Sequence, residues 1–164
     1  MYYTFFRANS FNSELVWDTS SVTTMDSMFW NAKAFNSELV WDTSKVTTLE
    51  GTFADAAFNQ PIGSWDTSKV TNLESTFEYA EAFNQPLAWD TSSVTSMYST
   101  FNSAVSFDQP LAWDTSKVTS MFRFFDNTAL ASDECSKAEM WEAWNGVDAF
   151  TSEYDWSAYS VSDC

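Results

Sequence analysis

Five acidic side chains at one fixed spacing are the first candidates for chemistry. Asp18, Asp42, Asp66, Asp90 and Asp114 recur every 24 residues. Carboxylate oxygens are hard ligands that suit calcium, and a column of like charges is costly unless each group is hydrogen-bonded or shares a cation. The spacing thus has two readings, a calcium-bridged column or five identical corners in which Asp bonds the backbone just after it. The corner reading carries more weight, because neither an EF-hand loop nor a nonapeptide calcium repeat is present. Just ahead of each Asp stands Trp17, Trp41, Trp65, Trp89 or Trp113. An exposed row of indoles would stack on sugar rings, whereas one Trp per unit at a constant address favours core packing with its N–H bonded to a carbonyl. A strict threonine column, Thr23, Thr47, Thr71, Thr95 and Thr119, has the look of an ice-ordering face, but the residues beside it vary among Thr, Asn and Ser. Acidic pairs such as Glu50 and Asp55 exist, and no feature of the pattern isolates them in a pocket.

Composition narrows the chemistry further. The 164 residues carry 23 Asp+Glu against 7 Lys+Arg, a formal charge of −16. Such a field repels a phosphate backbone, so nucleic acid is excluded as a favoured partner. The chain has no His, which removes the commonest general base and the commonest metal ligand. With 15 Phe, 9 Trp and 6 Tyr it is nonetheless no disordered acidic tail. No apolar run approaches the roughly 20 residues of a membrane span, and no leader pattern opens the chain, so it reads as soluble, with any secretory leader already removed. Cys135 and Cys164 fit one disulfide in an oxidising compartment, or two unrelated thiols in a reducing one. Sequons for N-glycosylation are absent, leaving Ser and Thr as the available glycan acceptors.

The elements that position these groups come from internal repetition. Each Trp-Asp-Thr-Ser is followed by Val22, Val46, Val70, Val94 or Val118, then by Met25, Leu49, Leu73, Met97 or Met121, then by Phe29, Phe53, Phe77, Phe101 or Phe125. A second Phe, usually followed by Asn, marks the return: Phe11, Phe35, Phe58, Phe83 and Phe107. In the third copy Phe58 comes one residue early and the segment before Trp65 is one residue longer, so the 24-residue total is preserved. Conserving total length rather than local spacing is what stacked coils require. The alternating Val-Thr-x-Met predicts a short parallel strand, and the three-residue spacing through Phe and Ala predicts an α- or 3₁₀-helical turn. The expected fold is a leucine-rich-repeat-like solenoid over 1–125, its core made by the Trp, Val and Phe positions.

The two ends depart from the pattern. Met1 aligns with Met25 and Phe5 with Phe29, so the chain starts in mid-repeat. That predicts an uncapped edge at Met1, Tyr2, Tyr3, Phe5 and Phe6, open to head-to-tail contact with a second copy or another surface protein. Residues 126–164 read as a small helical C-terminal cap, with Ser132 or Asp133 starting a helix and Gly146 stopping it.

The repeated Trp-Asp-Thr-Ser-x-Val-Thr-x-Met/Leu, with Phe and then Ala-Phe-Asn-Gln-Pro-Leu, resembles the BspA-like leucine-rich-repeat surface proteins over residues 1–125. Tyr154-Asp155-Trp156-Ser157, after a Cys-bearing helix, resembles the end of algal members. The resemblance implies a solenoid at a cell surface or outside the cell, with roles in adhesion or surface assembly and no catalytic residues. The expectation is a non-enzymatic structural or adhesion protein without a required cofactor, calcium at the Asp column being the exception to test. Its partners would be copies of itself or other surface proteins. The competing reading is a glycan- or protein-binding module that uses one face of the array.

Overall fold

The computed structural model describes residues 1–164, the side chain of Asp163 excepted. Layers of 24 residues, beginning at Met1, Met25, Leu49, Leu73, Met97 and Met121, lie on one another in register. Backbone amides join them with a period of two. Met25 donates to the carbonyl of Thr48, where the chain completes the same layer, and Ser27, Phe29 and Asn31 donate to those of Glu50, Thr52 and Ala54 in the next, all at 2.7–3.2 Å. The amides between them point inward: Met28, Trp30 and Ala32 donate to the carbonyls of Met25, Ser27 and Phe29, three residues back.

This alternation explains why the expected helical turn is absent. It places two left-handed residues in every layer, Ser27 (φ 51°) and Asn31 (φ 58°) and their counterparts such as Ser75, Tyr79, Ser99 and Ser103. A right-handed helix needs negative φ at each position, so a left-handed residue every fourth place breaks it. Gly51 occupies one of these positions (φ 57°), and a side chain there would also collide with the Trp30 ring, 2.9 Å from where its Cβ would lie. The expected strand is cut short for a related reason. Val46 donates to Thr43 and Thr52 to Leu49, so turns close in from both sides and confine the parallel bridge to one residue, Thr48 in this layer.

The expected leucine-rich-repeat-like solenoid, with a strand and a helical or 3₁₀ turn in every coil, is thereby corrected. Among the described residues no β-strand forms. The parallel contacts are isolated bridges, Thr24 to Thr48, Thr48 to Asn72, Asn72 to Ser96 and Ser96 to Ser120. Both α-helices lie outside the repeats, α1 at Glu134–Trp144 and α2 at Asp148–Thr151, with 3₁₀ turns at Leu130–Ser132 and Val161–Asp163. Residues 1–125 are turns and extended connections.

Aromatic columns fill the interior. Phe5, Phe29, Phe53, Phe77, Phe101 and Phe125 stack with ring centroids 5.4–6.3 Å apart. A second column, Phe11, Phe35, Phe58, Phe83 and Phe107, runs beside it at 5.8–6.4 Å. Within a layer the two rings meet at about 4 Å, as Phe29 does with Phe35 (4.0 Å). Phe58 keeps its place although it is one residue early, and the compensating residue is Gly63. Any Cβ on Gly63 would lie 2.6 Å from the Pro86 carbonyl oxygen, so only glycine lets the chain pass.

The last repeat is closed by the tail. Asp133 caps α1 by accepting the Ser136 amide. Trp144 of α1 and Trp156 stack on Phe125, each at 5.9 Å, where a further layer would otherwise lie. The Tyr154 hydroxyl accepts the Phe125 amide at 2.8 Å, replacing a next-layer carbonyl, and donates to Asp126 Oδ1. Cys135 and Cys164 are joined in a disulfide that ties the start of α1 to the chain terminus.

Urea unfolding should therefore separate three substitutions. Phe77→Ala deletes a fully buried ring and should cost about 3–5 kcal/mol. Tyr154→Phe leaves the buried Phe125 amide without an acceptor and should cost about 1–3 kcal/mol. Val40→Ser, at an 84 % exposed position, should change stability by less than about 0.5 kcal/mol.

Candidate functional site

The groups that invited chemical readings all lie in columns, because the layers repeat. Each indole is part of the packing. Trp41, Trp65, Trp89 and Trp113 are buried and donate Nε1–H to the carbonyls of Leu15, Leu39, Ile62 and Leu87 in the preceding layer at 3.0–3.4 Å. Trp17 differs: it stacks on Trp41 at 6.0 Å, is 37 % exposed, and its N–H has no partner among the described residues. Val46, Val70, Val94 and Val118 are buried and Val22 is half-buried, so the first layer is the less covered one throughout. Phe29, Phe53, Phe77, Phe101 and Phe125 are fully buried.

Asp18, Asp42, Asp66, Asp90 and Asp114 form corners on the exposed edge. Each Oδ1 accepts the amide of the serine two residues on, at 2.9–3.1 Å. These bonds from the serine side chains and amides hold all five carboxyls below the usual carboxylate range. Each Asp is thus held by its own corner, and among the described residues no group of three or more metal-ligating side chains converges. Glu50 and Asp55, the acidic pair in the layer that begins at Leu49, engage different partners: Glu50 accepts from Asn72, and Asp55 from Asn31 and Lys33. Glu50 is pushed up by burial first and then by the charges of Glu74 and Asp26 above and below it.

The threonine column is bound into the array as well. Thr47, Thr71, Thr95 and Thr119 each donate both the amide and Oγ1–H to the carbonyl of the threonine one layer earlier. A ladder that sequence reasoning passed over lies at the return corner. Asn36, Asn59, Asn84 and Asp108 donate their amides to the side-chain oxygens of Asn12, Asn36, Asn59 and Asn84, and Gln60, Gln85 and Gln109 add a second bond to the last three. The recurrent Asn after the second Phe was its visible trace.

At the predicted edge, Tyr2, Tyr3 and Phe6 are exposed, and Met1 and Phe5 are half-buried. A groove of about 450 Å³ opens beside it, lined by Leu15, Val16, Trp17 and Val40 with Glu14 and Glu38. The two valines are 84 % exposed, at positions taken by Ser64, Ala88 and Ala112 in later layers.

Acid titration should expose the corners. Their folded-state carboxyls are depressed relative to the unfolded chain, so the stability they contribute is complete above the ordinary Asp range near 4 and is lost as pH falls through the folded values. Asp66→Ala should flatten that acid limb, whereas Asp66→Asn should keep the corner while removing its titration, as read by thermal melts across the acid range.

The family described as Mycoplasma protein of unknown function, DUF285, matches residues 1–88 and 57–159. No curated protein and no solved structure matches the chain. The two matched spans cover all the stacked layers and reach into the tail that closes them, and on that coverage the chain belongs to the DUF285 family.

Proposed function

We propose that this chain is a non-enzymatic structural or adhesion protein of the cell surface or extracellular space. The observation that carries this reading is the work done by its reactive side chains. The N–H groups of Trp41, Trp65, Trp89 and Trp113, the Thr hydroxyls and the Asn side chains bind a neighbouring layer, and each Asp binds its own corner. Groups so occupied build a rigid, regular surface. Rigidity and repetition are what a scaffold or adhesin needs, since many identical weak contacts along one face add up by multivalency.

The Cys135–Cys164 disulfide supports an oxidising location. The acidic surface supports a partner other than nucleic acid. With the indoles engaged in the core, a glycan platform built on them gains no support, and a protein partner is the better fit.

Labelling of intact source cells with an antibody to the folded chain tests the location, together with non-reducing mass spectrometry of the linked peptide. Surface labelling and a Cys135–Cys164 cross-link are expected. Labelling only after permeabilisation, with both thiols free to alkylate, would overturn the proposal.

A further inference from the structure

The layer that begins at Leu49 departs from the others, and the departure makes a recess. Lys33 and Ala34 stand between Ala32 and Phe35, and Glu81 and Ala82 between Ala80 and Phe83, but Ala57 alone separates Ala56 from Phe58. The short corner lies between two longer ones. A notch of about 210 Å³ opens there, lined by Lys33, Asp55, Ala57, Tyr79, Glu81 and Ala82. The Lys33 ammonium is taken by Asp55, whose other oxygen accepts from Asn31, whereas no described residue donates to the Glu81 carboxylate.

Tyr79 forms one wall and is 51 % exposed. Every other aromatic side chain among the described residues has a second ring or a cation against it, and Tyr79 has neither. Its backbone is left-handed (φ 56°), at the place held by Asn31, Asp55, Ser103 and Asn127 in other layers. Asn and Asp adopt that region readily and a bulky ring does not, so this tyrosine strains the backbone while stacking on no other ring. Elsewhere the chain lays its own cations on exposed rings: Arg123 lies over Phe122 at 5.2 Å and Arg7 over Phe6 at 5.1 Å.

We infer that the notch receives an arginine side chain of a partner polypeptide, its guanidinium lying over the Tyr79 ring and paired with the Glu81 carboxylate. The inference rests on the protein-partner reading above and names the group recognised. A planar guanidinium stacks on an aromatic face and meets a carboxylate with two N–H groups at once. The methyls of Ala57 and Ala82 suit its apolar stem, and a chain of net charge −16 draws a cation rather than an anion. Lys33 does not oppose it, because Asp55 neutralises that ammonium.

Titration of the purified whole chain with a blocked Gly-Arg-Gly peptide, followed by NMR, tests this. Saturable shifts at the Tyr79 ring and at the Ala57 and Glu81 amides are expected, weakening as salt is raised. Tyr79→Asn and Glu81→Gln should each weaken binding by about threefold or more, and Tyr79→Phe should keep it. Tyr79→Asn should also melt no lower than the parent, since asparagine suits the left-handed backbone. Glu142→Gln, which removes an exposed charge of α1, should leave binding unchanged. The inference is overturned by the absence of saturable shifts at Tyr79, by equal shifts from the citrulline peptide, or by binding that survives Tyr79→Asn. Free arginine binding more tightly than the blocked peptide, or methyl glucoside shifting the Tyr79 ring where the arginine peptide does not, would overturn it as well. The readouts come from purified protein, so they stand or fall separately from the cell-labelling test.

Discussion

The structure depends on how each layer divides its backbone amides between itself and its neighbour. Along the stretch that begins at Met25, alternate amides leave the layer for the next one, and those in between close turns within it. A buried amide without an acceptor is costly, so this division fixes both the height of a layer and its outline. It also sets the backbone: the left-handed residues at Ser27 and Asn31 exist because consecutive amides must point in different directions. Phenylalanine columns at 5.4–6.4 Å follow from that vertical repeat rather than imposing it.

Each layer of such a stack contacts only its neighbours, so an end needs a cap to cover its rings and backbone groups. The far end meets the need with unlike material. Trp144 and Trp156 stand in for phenyl rings, and the hydroxyl of Tyr154 stands in for a peptide carbonyl. Burial raises the Tyr154 hydroxyl well above the ordinary tyrosine range, so it stays protonated and can donate to Asp126 while accepting from Phe125.

The side chains used for cohesion account for the surface that remains. Asparagine and threonine sit where their oxygens can accept from one layer and their donors can reach another, and the five Asp corners keep their carboxylates ionised at the rim. The result is an acidic, regular exterior, suited to presenting one motif many times.

Periodicity alone determined the 24-residue layer, the members of the core columns and the change of character after Phe125, because identical residues at a constant interval can bury one another only by lying in register. The balance between the early Phe58 and the longer segment before Trp65 already showed that layer length is held constant. Local conformation within a layer was not legible. Val-Thr-x-Met has the residues of a strand and x-x-Phe-x-x-Ala the spacing of a helix, yet neither forms, because whether an amide bonds three residues back or one layer away is decided by the neighbour's carbonyl. Propensity is a weak preference that such tertiary bonds override. The asparagine ladder was half-visible as Asn after Phe, but its partners lie 23–25 residues away and only stacking brings them together. The replacement of a carbonyl by Tyr154 left no trace in the sequence, since nothing local to that tyrosine refers to Phe125.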